Sequence, residues 1–247
     1  MAFPTRGSRR AEDNPIRRDP LVANCTVPAH DNNSSGDSLY GSRACWQAFV
    51  DWCWNTHSFN YDSWHNGFGY DDCCNSDLPL SRTFAAFWLL NYSADDYNND
   101  DYSNNMLHWG RHYVRDQMHD VTARCGDGTA NATTFTGGSN SRVELYLPFF
   151  YQRDVVGRAA TLVHESRHFG GKSHDANFPS WSAFPVGKSG ADSSWDYQGA
   201  WMFDVLYLWW FYAAGARTTT ALQQSAKQRG NFLLDNAFAS HPGFTIT

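Results

Sequence analysis

Residues 161–175, which read Thr-Leu-Val-His-Glu-Ser-Arg-His-Phe-Gly-Gly-Lys-Ser-His-Asp, constrain this chain more than any other stretch. They spell H-E-x-x-H and continue as H-E-x-x-H-x-x-G-x-x-H-D. The first five residues belong on a helix, where positions four apart share a face, so His164 and His168 can offer two imidazole nitrogens to one metal ion. Glu165 stands one step around that helix. Gly171 is suited to a turn that a residue with a Cβ resists, and such a turn brings His174 back as a third nitrogen. Three protein ligands with an open fourth position describe a catalytic zinc site, whereas structural sites are closed by four.

The flanking sequence supports this reading. Asp154 is placed to cap the helix, and Val155, Val156, Ala159, Ala160, Leu162 and Val163 supply an apolar face. Gly157, unfavourable inside a helix, is read as the mark of a close approach by another element. Upstream, residues 142–148 alternate and are β-rich, which predicts an edge strand ended by Pro148.

The run resembles the signature of the metzincin clan of zinc metallopeptidases, H-E-x-x-H-x-x-G-x-x-H, and matches every fixed position: His164, Glu165, His168, Gly171 and His174, with Asp175 following. The resemblance covers about a dozen residues. It implies that the three histidines bind Zn2+ and that Glu165 is the general base. It also implies an α+β, zincin-like fold, predominantly helical, with a small antiparallel sheet and a central metal-binding helix. One departure stands out. The clan places a methionine-containing turn beneath the metal, and the one methionine downstream of the motif, Met202, sits in residues 195–204, which read more like a helix than a turn. In other zincins an acidic residue on a second helix is the third ligand, so Asp196 and Asp204 compete with His174; His174 is the expectation kept here.

Domain organisation is read as an extended arm over residues 1–41 followed by a single zincin-like metallopeptidase domain over residues 42–247. The arm is rich in Pro, Asn, Ser and Arg, and its first 20 residues hold no apolar leader core. The chain carries six cysteines, Cys25, Cys45, Cys53, Cys73, Cys74 and Cys125, an even number that suits disulfides and a secreted, periplasmic or extracellular setting. Adjacent Cys73 and Cys74 are expected to have different partners. A net charge of −6 argues against general nucleic-acid binding. Val205–Ala216 is uncharged but too short to span a bilayer, so it is read as a buried helix behind the metal helix, with Asp204 either accepting a bond from a ligand histidine or pairing with an arginine. The expected partner is a peptide or protein substrate, with no membrane or nucleic acid, and the expected state is a monomer.

Further helices are read from Ser42, with Cys45, Ala48, Phe49 and Trp52 on one stripe, over Arg82–Asn91 with Ser81 as cap, over Met106–Arg124, and over Leu222–Phe238. Thr133–Thr136 and Val143–Leu147 suggest a hairpin. His57, His65 and the pair His108 and His112 are read as structural or surface histidines in preference to ligands. Asp96, Asn98 and Asp100 imitate the opening of a calcium loop, but Asp101 and Leu107 stand where its glycine and glutamate belong, so an EF-hand is rejected. A looser Ca2+ site stays open as a second cofactor, beside the favoured reading of a solvated acidic loop.

The function expected from all this is a secreted zinc-dependent metallopeptidase. Zinc acidifies a water molecule, Glu165 takes its proton as it attacks the peptide carbonyl, and Tyr197 is the candidate donor to the oxyanion. Two alternatives remain: a non-hydrolytic redox enzyme with iron or copper on the three histidines, and a non-catalytic binding module on a zincin scaffold.

Overall fold

The computed structural model describes residues 36–94, 101–126, 129–138 and 141–247. The calcium expectation at Asp96, Asn98 and Asp100, the first 35 residues of the arm, and Cys25 lie outside the described residues. In chain order the elements are α1 (Asp37–Ala44), α2 (Gln47–Thr56), α3 (Pro79–Tyr92), α4 (Tyr102–Gln117), β1 (Val121–Ala123), β2 (Ala132–Phe135), β3 (Arg142–Leu145), α5 (Leu147–Tyr151), α6 (Val155–Phe169), β4 (Ala176–Asn177), β5 (Ser189–Ala191), α7 (Ala200–Ala214) and α8 (Thr220–Asn236). The architecture is α+β and mostly helical.

Helix α6 is the axis of the molecule. Every residue from Val155 to Ser166 is buried, because α3, α4, α7, α8 and β2 pack around it. Asp154 caps it as expected, with Oδ1 accepting from the Gly157 amide at 2.8 Å. The same cap accounts for Gly157: a Cβ there would stand 3.0 Å from the capping carboxylate, so the crowding comes from the helix's own cap and not from another element. On one flank lies α7, with Met202, Phe203, Val205, Tyr207, Leu208 and Phe211 buried. Burial of a side chain of this size contributes roughly 1.5–3 kcal/mol, and the α6–α7 contact is built of many of them.

A buried ion cluster fastens the other end of α6. Asp37, the first residue of α1, receives Arg158 of α6 and Arg82 of α3, and all three are almost fully buried. Both guanidinium groups also donate to the Phe150 carbonyl at 3.2 Å. Helix α1 thus begins inside the stretch read as an arm, and its first carboxylate is part of the core.

Several boundaries differ from expectation for physical reasons. The helix expected over Met106–Arg124 stops at Gln117; Asp120 takes a left-handed conformation (φ 51°), and Val121–Ala123 then pair in parallel with Val143–Leu145. At the helix start, Asn105 is non-helical and its Oδ1 accepts from the Leu107 and His108 amides. The strand expected at the sheet edge, β3, is instead central, in the order β1-β3-β2, so the sheet is mixed and not purely antiparallel. Pro148 does not end an edge; it falls in the first turn of α5, where a missing N–H costs nothing. Likewise α3 starts at Pro79, so Ser81 lies inside the helix and is not its cap. The stripe from Cys45 to Trp52 is split by a break between α1 and α2, and Cys45 is disulfide-bonded to Cys74 while Cys73 stays a buried thiol. The expected hairpin is present as β2 and β3.

Candidate metal centre

The loop after α6 is built to return the chain. The Gly171 amide donates to the His168 carbonyl at 2.9 Å and the Lys172 amide to the Arg167 carbonyl at 3.2 Å, the paired bonds of a Schellman ending. Gly171 sits at φ +86°, the left-handed backbone that the sequence led us to expect there. Asp175 then anchors the returning strand, its two oxygens accepting from the Ser193 amide and hydroxyl, each at 2.7 Å. His174 is brought against His164 and His168, and one ring nitrogen from each of the three lies within 4.8 Å of the others.

The protonation of the rings is set by their outer contacts. His168 Nδ1 lies 2.6 Å from the Lys172 carbonyl, and His174 Nδ1 lies 2.8 Å from Asp192 Oδ1. A carbonyl and a carboxylate accept only, so each Nδ1 carries the hydrogen and each Nε2 presents a lone pair inward. Two of these inward nitrogens, on His164 and His168, are 3.2 Å apart. Tetrahedral zinc with Zn–N of about 2.0–2.1 Å places its ligand nitrogens roughly 3.3 Å apart. His164 Nδ1 has no hydrogen-bond partner among the described residues, so this ring can carry its hydrogen on either nitrogen; with the hydrogen on Nδ1 its Nε2 offers a third lone pair to a cation. Burial and the neighbouring rings hold His164 well below the ordinary imidazole pKa, and burial with His174 brings His168 down to about 4, so both rings are neutral at neutral pH, the form in which imidazole can bind a metal. The donor set fits a divalent metal with affinity for imidazole.

Around the ligands stand residues that the motif did not announce. Asp192 receives His174 through Oδ1 and the Trp201 amide, in the first turn of α7, through Oδ2 at 3.0 Å. Gly199 makes this possible, because a Cβ there would overlap the Asp192 carboxylate. The Trp201 ring packs on His164 with centroids 4.3 Å apart and on His174 at 5.5 Å. Thr134, on β2, donates its hydroxyl to Glu165 Oε2 at 2.7 Å. Burial pushes the Glu165 carboxyl up to about 7, against the bond from Thr134 and with help from the Asp204 charge.

Asp204 lies behind the site, with Oδ2 3.7 Å from His164 Nδ1; burial pushes its pKa up to about 6. That distance is outside hydrogen-bonding range, and both His164 Nδ1 and Asp204 Oδ1 lack a partner among the described residues. Asp204 therefore stands at the outer face of a ligand and does not replace His174. Asp196 belongs to a separate groove with Tyr102 and Trp210. Met202 is buried on α7, and no methionine turn lies under the histidines; the segment before α7 is a single 3-10 turn, Trp195–Tyr197. Tyr197 donates its hydroxyl to the Ser173 carbonyl at 2.6 Å and does not line the cavity. Arg167 faces away, donating to the Gln198 carbonyl.

The three histidines and Glu165 open onto a cavity of about 630 Å³, bordered by β2 on one side and by Phe178, Phe184 and Trp201 on the other. His57 is a core residue, its Nδ1 3.0 Å from the Met118 carbonyl. His65 packs between Tyr61 and Tyr70. Neither borders the cavity, nor do His108 and His112. Among the described residues no helix is long and apolar enough to cross a membrane. Comparison of the chain with protein-family models, with curated proteins and with solved structures finds no match.

Proposed function

We propose that this chain is a secreted zinc-dependent metallopeptidase that hydrolyses peptide bonds, with His164, His168 and His174 holding the metal. The observation that carries the proposal is the convergence of three inward-facing Nε2 atoms and the Glu165 carboxylate on one cavity. Zinc, when bound, supplies Lewis-acid polarisation of a carbonyl and lowers the pKa of water from about 15.7 toward about 7.

The chain's own residues supply the rest. Glu165 takes a proton at its free oxygen while Thr134 holds Oε2, which fixes the carboxylate's orientation, and it returns the proton to the leaving amine. Lys172 and Asp192 hold two ligand rings in the tautomer that binds metal. Phe178, Phe184 and Trp201 exclude water from one wall of the cavity. Strand β2 is at the sheet edge and its residues line the cavity, which suits an extended peptide pairing alongside it. Export is supported by the Cys45–Cys74 disulfide, which is stable in an oxidising compartment.

The test is Glu165→Gln in zinc-loaded protein, assayed on a peptide library. The variant should keep its zinc and lose hydrolysis by a factor on the order of 10²–10⁴. Hydrolysis at the parent's rate with zinc bound would remove Glu165 from the chemistry and the proposal with it.

A further inference from the structure

One cation in the cavity is left unused by the metal site. Arg229, on α8, borders the same space as His164, Glu165 and Asp204. Its guanidinium has no hydrogen bond and no ion pair among the described residues. What it does contact is the Phe232 ring, with Cζ 5.4 Å from the centroid. Phe232 packs on Phe184 at 5.6 Å, and Phe184 stacks on Trp201 at 5.5 Å, so a row of rings joins the arginine to the tryptophan that covers His164.

The simpler account, that Arg229 exists to neutralise Asp204, does not match the contacts. The two form no ion pair among the described residues; Asp204 lies instead beside the neutral His164 ring, with Nδ1 at 3.7 Å, and Asp204 Oδ1 is unsatisfied. Burial holds the Arg229 pKa below its ordinary value, with Asp204 and Asp154 acting in the opposite direction from farther off. A half-buried guanidinium without a protein partner keeps its donors for a ligand that enters the cavity, and its planar donors match a carboxylate two-on-two. Lys188, exposed where β5 begins, adds a second cation at the margin of the same cavity.

We infer that Arg229 is a specificity residue that receives a carboxylate of the substrate, supplied either by an acidic side chain beside the scissile bond or by a free C-terminus. This deepens the peptidase reading and rests on it, since the carboxylate is positioned relative to the bond that Glu165 and the metal address. The aromatic row gives the same pocket an apolar wall along which the substrate's methylene groups lie.

The experiment uses zinc-loaded protein and two peptide series. In peptides blocked at both ends, Glu and Gln are exchanged at each position around the cleaved bond; in the second series, otherwise neutral peptides end in a free acid or an amide. A carboxylate on Arg229 should raise kcat/KM roughly 10- to 100-fold over its neutral counterpart in one series. The series that responds identifies the source: side chain in the first, terminus in the second. In Arg229→Met the ratio should fall to about one, and in Arg229→Lys, which keeps the charge without the fork, it should take an intermediate value. Ratios near one in both series for the parent, or a ratio that survives in Arg229→Met, would overturn the inference. If Arg229→Met does not fold, the ratio in Arg229→Lys decides alone. If the parent cleaves no peptide, the peptidase reading fails, and titration calorimetry with glutarate then tests the pocket separately. Binding lost in the Arg229 variants keeps the carboxylate site; no binding to the parent removes it.

Discussion

Two pairs of histidines stand four residues apart on helices in this protein, and among the described residues only one pair is joined by a third side chain into a group that could hold a metal ion. His164 and His168 on α6 have ring centroids 4.9 Å apart at 78°, and His108 and His112 on α4 are 4.6 Å apart at 77°. In ring separation and interplanar angle the pairs are alike, so spacing on a helix does not separate them. The route of the chain beyond each pair does. After His168 the chain turns through Gly171 and returns His174, whose Nδ1 is held by Asp192. After His112 the helix runs on to Gln117 and leaves in extended backbone toward β1, and no third His, Cys, Asp or Glu among the described residues joins the pair. Beside His164 stands Glu165, and beside His108 stands Trp109. The three-histidine group is thus a property of the path the chain takes after the helix, and the helical pair is only its first half.

The comparison can be broken by exchanging which pair is damaged. His174→Ala should reduce metal content from about one ion per chain to near zero after dialysis against a chelator, because two imidazoles do not retain zinc against competition. His112→Ala should leave the content unchanged, and elemental analysis of both variants distinguishes them. Loss of metal from the His112 variant alone would invert the assignment.

A subtler change asks whether the outer contacts matter as argued. Asp192→Asn leaves all three ligands in place but no longer holds the His174 ring with a full charge. Metal affinity should drop about 10- to 100-fold, read by competition with a chromophoric chelator. An unchanged affinity would mean that the carboxylate serves only the start of α7.

His57 sharpens the comparison from a third direction, as a histidine wholly committed to the core. Burial lowers its pKa to about 4, against which its bond to the Met118 carbonyl works in the other direction. Between about pH 6.5 and pH 4 the unfolded chain binds a proton that the folded His57 refuses. Stability therefore declines as pH falls through that window, by up to about 3 kcal/mol from this residue, with no contribution from it above the window. Urea unfolding of the parent and of His57→Gln, which can still donate to Met118, should show a shallower decline in the variant. Equal slopes would place His57 in a wetter environment than its burial indicates.

How far the sequence reaches depends on how local each feature is. The motif converts to geometry because helix periodicity and a left-handed glycine are decided within a few residues, and Asp154, α6, Gly171 and the three histidines fall where those rules put them. The buried helix α7 is legible from its apolar run, which only Asp204 interrupts. Thr134, Asp192 and Arg229 are not legible. Thr134 reaches Glu165 from 31 residues away because β2 is laid along α6, and Asp192 reaches His174 across 18 residues because Asp175 ties the two segments together. The one local trace of Asp192 is Gly199, whose missing Cβ makes room for it, but a glycine alone does not name its neighbour. Val121–Ala123 read as helix from sequence for a related reason: a run of three residues, Val-Thr-Ala, is too short to show a period, and pairing with β3 decides. Tyr197 is close to the motif in sequence, but its hydroxyl is spent on Ser173.

The measurement that bears most directly on the central claim is the metal content of protein purified without added metal, by elemental analysis. The protein should carry about one zinc per chain, lost with His174→Ala. Iron or copper at that stoichiometry would contradict the hydrolytic assignment, and a protein that neither holds nor takes up any metal on reconstitution would contradict the metal centre itself.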